Sequence, residues 1–163
     1  MNEEKTVILL KFATEIKGNS KVKDHEEWIE FNDISLSSGR HIHVTNSERE
    51  TGQPYVSELI LTKDGDLSSP NLFLQSLTGK TLGDATIHFI QTAGEDNTNQ
   101  IFMEFKLTEA IISGYSAKSS GGRPIEHIQI NFIKIEYAYT EYTGKDKKPE
   151  MRKKWDLLKH IPA

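Results

Sequence analysis

The sequence predicts a mainly β protein, an antiparallel β-sandwich or closed β-barrel with one α-helix packed against its sheets. Most apolar residues occur in short runs that alternate with polar residues, the pattern of strands with one buried face. Turn-forming residues separate six or seven such runs, which is typical of sandwiches and closed barrels. One stretch instead carries the start and stop signals of a helix.

Length and composition favour a single domain over 1–163. There is no cysteine, which excludes disulfides, thiolate zinc sites and cysteine nucleophiles. The start, MNEEKTVILLKFATE, is acidic and its apolar run is short, unlike a secretory signal. No apolar stretch has the length of a membrane span. We therefore expect no membrane insertion, and folding in the cytosol or export by a route that uses no cleavable signal.

The predicted strands are read from the alternating runs in chain order. Two turn-rich segments, TAGEDNTNQ and KSSGGRPIEH, predict hairpin connections between neighbouring strands. The strands themselves lie in TVILLKFA, EEWIEFNDISL, YVSELILTK, DATIHFIQT and QIFMEFKLTEAIISGYSA, and in the run that follows.

That last run, IEHIQINFIKIEYAYTEY, changes the parity of its apolar residues. One parity holds up to Phe132 and the opposite parity begins at Ile133. One extra residue in a strand produces such a switch while the apolar side chains stay inward. We therefore predict a bulge or sharp bend at these two residues, with Ile130 and Ile135 both buried.

The helix is predicted at about Pro70–Thr78, within LSSPNLFLQSLTGKTL. Ser69 suits the N-cap before Pro70, and Gly79 suits the position after the last turn. An apolar stripe on this helix should face the sheets. Its members are Leu72, Phe73, Ser76 and Leu77.

The stretch IEYAYTEYTGKDKKPEMRKKWD places aromatic residues beside lysines, a combination found in proteins that bind single-stranded nucleic acid. The net charge of −4 and the acidic residues among the lysines argue against that partner. We expect Tyr137 and Tyr139 on the face that carries the core isoleucines, and Trp155 as a core anchor. The lysines should be solvated: Lys147, Lys148, Lys153 and Lys154.

His41 and His43 form an H-x-H pair, which on a strand points both rings the same way, as some metal sites require. Further ligands would have to come from Glu48, Glu50 or elsewhere, and no second motif supports them. The other histidines are scattered, and no phosphate loop or nucleophile motif is present. We therefore predict no enzyme, no metal and no cofactor. A small metal-dependent enzyme using the pair, and a nucleic-acid-binding barrel, remain the alternatives.

The segment SSGRHIHVTNSERETGQP, at 37–54, does not fit a compact barrel. It is long and polar and lies between two good strands, as a flexible loop or an arm that reaches another molecule would. An ordered arm needs partners for its backbone, and the barrel has no spare strand to offer. We therefore predict contacts between subunits near Arg40, His41, His43, Arg49 and Glu50.

Several segments share their order and spacing with one family. SSPNLFLQSLTGKTL matches a Ser/Thr-Pro helix ending in glycine, and QTAGED matches a KAGG-like turn. INFIKIEYAYTEYTGKDKKPEMRKKWDL matches an aromatic strand, a Gly/Lys-rich loop and a final strand, with lysine for glycine in KKWD. The opening ILLKFATEIKGNSKVKDHEEWIEFNDISL keeps Gly18, Ser20 and His25 of a G-E-S-x-D-x-x-H turn. Together they resemble the haemolysin-coregulated protein (Hcp) family of bacterial type VI secretion systems.

This resemblance implies an antiparallel β-barrel of two sheets with one flanking α-helix, and a structural role without catalysis. Family members form hexameric rings that stack into a tube, which a contracting sheath propels into a target cell with effectors in its lumen. The implied partners are further copies of the chain and the sheath, spike and effector proteins, with no nucleic acid. The implied location is the bacterial cytoplasm before firing and the extracellular space afterwards. The segment at 37–54 corresponds to the family's loop that reaches neighbouring subunits, although it is charged here and glycine-rich in many relatives.

Overall fold

The computed structural model describes residues 6–93 and 98–163. Residues 1–5, and part of the predicted turn in QTAGED, lie outside them. Helix α1 is Ser69–Thr78. The strands are β1 (Val7–Phe12), β2 (Ile29–Phe31), β3 (Asp33–Ser35), β4 (Ser38–Val44), β5 (Arg49–Val56), β6 (Leu59–Asp64), β7 (Ala85–Ala93), β8 (Thr98–Thr108), β9 (Ile111–Lys118), β10 (Ile125–Asn131), β11 (Lys134–Tyr139), β12 (Tyr142–Thr143), β13 (Asp146–Lys147), β14 (Met151–Asp156) and β15 (Ile161–Pro162).

Two large antiparallel sheets enclose the core, which confirms the predicted fold class. The first has seven strands in the order β15-β14-β11-β8-β7-β1-β2, and the second has four in the order β3-β6-β10-β9. The alternating apolar side chains of both sheets meet between them. Within the described residues, the ladder hydrogen bonds leave two separate sheets and do not join them into one closed barrel.

Three of the predicted strand runs pass directly from one large sheet into the other, and a fourth crossing runs through helix α1 between β6 and β7. Strand β10 ends before Phe132 and β11 begins after Ile133, which confirms the predicted bend. Ile130 and Ile135 are both buried, as expected. The predicted strands EEWIEFNDISL and QIFMEFKLTEAIISGYSA likewise divide, into β2 and β3 and into β8 and β9. Such corners let one apolar pattern serve two sheets.

The helix ends where predicted, begins one residue earlier than predicted, and differs from the prediction on its apolar face. The N-cap position is Ser68, and Ser69 is the first helical residue. Gly79 ends the helix as predicted, with φ of 64° and its N–H donating to the Gln75 carbonyl over 3.1 Å. Of the apolar stripe only Leu72 is buried, whereas Phe73 and Leu77 are exposed.

The short helix therefore rests on strand β9 through a narrow face. Phe73 stays near the surface and packs edge-to-face on Tyr115, with ring centroids 5.9 Å apart. Ser69 uses its hydroxyl differently from a capping residue, since it donates to the Glu126 carboxylate of β10 over 2.7 Å. In the described part of the chain, no helix is long and apolar enough to cross a membrane.

Candidate functional site

The segment at 37–54 folds as a β-hairpin, which we call the arm (strands β4 and β5 and their turn). Its strands pair with each other in a sheet of their own, from Ser38 opposite Val56 to Val44 opposite Arg49. The turn closes through the Thr45 N–H, which donates to the Glu48 carbonyl over 2.8 Å. The backbone of the arm is thus paired within the chain. The expectation that it needs a strand from another molecule is wrong, because a hairpin supplies its own partner.

All five predicted contact residues lie on the arm and are exposed: Arg40, His41, His43, Arg49 and Glu50. The Arg40 guanidinium donates to the Gly52 carbonyl over 3.1 Å, and this contact stiffens the base of the hairpin. A register shift between Arg40 and Ile42 places His41 at an irregularity in β4. All five side chains are accessible to a partner, although Arg40 already makes this bond within the arm.

The outer half of the arm also exposes apolar surface. Ile42 and Val44 are two residues apart on β4, so their side chains point to the same face of the hairpin. They are 55% and 69% exposed, in a segment that is otherwise polar. Apolar pairs on a projecting hairpin are typical of a contact with another molecule.

A groove of about 480 Å³ lies at the base of the arm, between the arm and strands β11 and β14. Three aromatic rings line it: Tyr55 of the arm, Tyr137 of β11 and Trp155 of β14. The pairing of Gly39 with Tyr55 shapes its wall, because a Cβ at residue 39 would lie 2.7 Å from the Tyr55 hydroxyl.

The rim of this groove is basic. Arg40, Lys153 and Lys154 all border it, and none of its described lining residues is acidic. Lys154 is partly neutralised, since its ammonium lies 3.2 Å from the Glu136 carboxylate. The groove is therefore an apolar, aromatic floor with a positive edge, on a chain whose net charge is −4.

The groove corrects two sequence-based expectations. Tyr137 and Tyr139 share the parity of buried Ile135 but are 42% and 44% exposed, because β11 extends beyond the core. Trp155 packs against the core and is only half-buried, so it is not a fully buried anchor. The lysines are exposed, as predicted: Lys147, Lys148, Lys153 and Lys154.

A second constellation lies across the seven-stranded sheet, where two of the scattered histidines meet. His25 Nε2 lies 2.8 Å from His88 Nδ1, and His88 Nε2 lies 2.6 Å from a carboxylate oxygen of Glu104. Arg152 donates to Glu104 over 2.8 Å and also to Glu136 and Glu150. We call this chain of contacts the histidine relay (His25, His88, Glu104 and Arg152).

The relay shifts the ionisation of its members. Hydrogen bonds from His88 and, to a smaller extent, from Arg152 lower the pKa of Glu104 to about 2, although burial acts to raise it. Burial lowers the pKa of His25, because the charged ring is less well solvated inside the fold. Hydrogen bonds to Glu150 and Glu104 raise the pKa of Arg152. Glu104 is therefore a carboxylate at neutral pH.

The H-x-H pair gains no metal partners. His41 and His43 are exposed on β4, and β-pairing sets His43 opposite Glu50. Among the described residues, no group of three or more histidine and acidic side chains is arranged to hold a metal ion. The arrangement thus gives no support to the metal-dependent alternative.

Sequence reasoning missed both the groove and the relay. The groove joins residues about 100 positions apart, so only the pairing of β11 with β14 and the path of the arm bring them together. The relay had one readable signal. His88 and Glu104 are direct cross-strand partners in the hairpin of β7 and β8, and such pairs put opposite charges side by side.

Comparison with known proteins decides the family. The family model described as "Type VI secretion system effector, Hcp" matches residues 9–139, most of the chain. The chain belongs to the Hcp family. It is therefore a type VI secretion protein. The Hcp assignment agrees with the resemblance in the sequence, which the helix, turn and aromatic-strand segments carry.

One curated protein and two solved structures resemble nearly the whole chain. Protein hcp1 of Pseudomonas aeruginosa is 26% identical over 154 residues, covering 91% of this chain and 94% of that protein. The solved "Structure of a type six secretion system protein" has a TM-score of 0.88 at 20% identity, covering 98% of this chain and 100% of the other. Hcp1 from Salmonella typhimurium has a TM-score of 0.78 at 19% identity, covering 97% and 99%. At these identities the two structures show a shared fold.

Proposed function

We propose that this Hcp chain is the ring-forming subunit of a type VI secretion tube. Its hexameric rings stack into a tube that is propelled into a target cell, and effector proteins travel in the lumen. Family membership and a fold shared over nearly the full chain support this role. The chain acts as a building block and catalyses no reaction. It waits in the bacterial cytoplasm, with sheath and spike proteins as partners, and leaves the cell on firing.

The observation that carries the proposal is that one chain has both an exposed apolar arm tip and an aromatic groove at the arm's base. We propose that the tip of one copy, with Ile42 and Val44, docks in the groove of the next copy. The exposed apolar pair and the apolar floor complement each other. Polar contacts by the five predicted arm residues would fix the register around this apolar centre.

The geometry of the arm favours contact between copies over contact within one copy. Val44 lies four residues along β4 from Arg40, which borders the groove, so the tip projects about 13 Å beyond the groove at the strand rise of about 3.3 Å. Tip and groove are different surfaces, and a contact between different surfaces repeats head to tail. Such a contact closes into a ring when its rotation divides the circle evenly. An exchange of arms between two copies would instead stop at a dimer.

Light scattering after size exclusion tests the contact. We expect six chains per particle for the natural protein, and dissociation when Ile42→Ser and Val44→Ser are combined. Leu158→Ser is the matched control, because Leu158 is 71% exposed outside the arm and groove. The control should keep the ring. A dimer in the natural protein, or rings that survive the double substitution, would contradict this contact.

Binding of single-stranded nucleic acid is a second candidate function, since the groove joins three aromatic rings to three cations. The net charge of −4 opposes it. Titration with a single-stranded oligonucleotide at physiological salt separates the two. We expect no saturable binding. Tight binding that is lost on Lys153→Glu with Lys154→Glu would support the nucleic-acid function instead.

A further inference from the structure

The histidine relay anchors residues 18–28, a loop that forms the second part of the link from β1 to β2. The loop is closed by its own backbone bonds, with the Gly18 N–H donating to the Glu27 carbonyl and the Glu27 N–H to the Ser20 carbonyl, both over 2.8 Å. Among residues 18–28, His25 is the one whose side chain is both buried, at 6% exposure, and hydrogen-bonded to the sheet. This ring is therefore the loop's attachment to the seven-stranded sheet.

The loop has a strained backbone on either side of this anchor. Asp24 and Glu27 have φ of 67° and 64°, the left-handed region that non-glycine residues rarely adopt. This conformation costs free energy in a residue with a side chain, and it persists where the surroundings hold it. Trp28 helps to hold it by packing on both rings, with centroids 4.5 Å from His25 and 5.0 Å from His88.

The hydrogen bonds of the relay fix how many protons the two rings carry. The Lys23 carbonyl accepts from His25 Nδ1 over 3.2 Å, so that nitrogen holds a proton. Glu104 is a carboxylate and can only accept, so His88 Nε2 holds a second. The bond between the rings needs one more. Three protons on four nitrogens give the pair a single positive charge, opposite Glu104.

A fourth proton is incompatible with this arrangement. It would place an N–H on both rings across a gap of 2.8 Å, where neither nitrogen can accept. The two positive rings would also repel each other at a centroid distance of 5.0 Å. The bond that ties the loop to the sheet must then break.

We propose that the histidine relay is an acid-sensitive latch, which holds residues 18–28 on the sheet at neutral pH and releases them when the second histidine is protonated. The latch lies outside the arm and the groove, so it does not rest on the proposed function. Release frees the strained turn to relax. It also uncovers the ring of Trp28 and the edge of the sheet at β2.

The charged groups around the two rings determine whether acid opens or closes the latch. From the loop, the carboxylates of Asp24 and Glu26 attract a proton to His25. From the sheet, Glu104 is already shared with Lys106 and Arg152, and Arg152 is bound in turn by Glu136 and Glu150.

Burial and the charge on His88 outweigh those carboxylates and lower the pKa of His25. Its neutral form therefore stabilises the closed loop above the ordinary histidine pKa of about 6.5. That contribution is lost as the pH falls below about 6.5 towards the lowered pKa.

Amide hydrogen exchange on the natural protein tests the latch, at about pH 7.5 and about pH 5, either side of the ordinary histidine pKa. After correction for intrinsic rates, protection at Gly18, Ser20, Glu27 and Trp28 should fall at least about tenfold on acidification, as one linked proton predicts. Amides of the paired strands β7 and β8 should keep their protection. Equal changes in both regions, or none, would overturn the proposal.

Two variants separate the latch from general acid effects. His25→Asn should leave residues 18–28 poorly protected at both pH values, whereas His127→Gln, an exposed histidine on the other sheet, should behave like the natural protein. Nitrogen-15 spectra of the rings count the protons directly. We expect three on the pair at about pH 7.5. Two neutral rings at that pH would contradict the proposal even if His25→Asn fails to fold.

Discussion

Lys63 donates to Glu126 over 2.7 Å in an ion pair whose side chains are 0% and 1% exposed. The remaining donors of the ammonium reach the Asp64 carbonyl and the Asp66 carboxylate over 2.9 and 3.0 Å. Tyr115 donates to the other oxygen of Glu126. The network fastens the start of helix α1 to the four-stranded sheet, because Ser69 bonds to the same carboxylate.

Removing one partner of this pair should destabilise the fold strongly. Glu126→Gln removes the buried counter-charge of Lys63 and leaves Asp66 as the remaining carboxylate on the ammonium. Loss of one partner of a buried ion pair costs up to about 3–5 kcal/mol. Urea denaturation gives the free energy of unfolding. Lys17→Gln is the control, since Lys17 pairs with Glu27 over 3.6 Å at the surface and should contribute at most about 1 kcal/mol. Similar values for both variants would show that the buried network is not holding the helix.

Two of the three leucines of helix α1 should differ sharply in their effect on stability. Leu72 is fully buried, so Leu72→Ala should lower the free energy of unfolding by about 2–5 kcal/mol. Leu77 is 69% exposed, and Leu77→Ala should change it by about 0.5 kcal/mol or less. The same urea experiment measures both. Equal losses would mean that the helix packs through the wider stripe that the sequence suggested.

Glu104 should contribute stability that disappears in acid. Its folded pKa of about 2 lies below the ordinary value of 4.5. A lowered carboxyl pKa stabilises the fold above about 4.5, and the contribution is lost as the pH falls towards 2. As the pH falls across this range, the difference in free energy of unfolding between the natural protein and Glu104→Gln should become smaller. Glu30→Gln, at an exposed site of β2, should leave the acid profile unchanged. A difference in unfolding free energy that stays constant with pH would contradict the lowered pKa of Glu104.

Much of the fold could be predicted from local patterns. Period-two alternation locates strands whatever their partners, and the parity switch at Phe132 located a corner between the two sheets. The apolar face of α1 could not be predicted in the same way. Periodicity gives a stripe, but whether Phe73 is covered depends on how close the short helix lies to β9, which is a tertiary property.

The candidate site was predictable only in part. The polar composition of 37–54 marked the arm, but its pairing was misjudged, because Ser38–Val44 and Arg49–Val56 lack the apolar alternation that signals a hairpin. Tyr137, which is exposed, and Trp155, which is half-buried, are aromatic residues that line a surface groove. Parity assigns them to a face and cannot tell where along that face the core ends.

The mass of a chain that lacks the tip of the arm is the most direct test of assembly through the arm. Removing residues 42–51 and bridging the ends with a short glycine linker takes away the tip, while the core residues of both sheets remain. We expect light scattering to report a folded monomer, with the cooperative urea unfolding of the natural protein intact. Hexamers recovered from this deletion would contradict assembly through the arm.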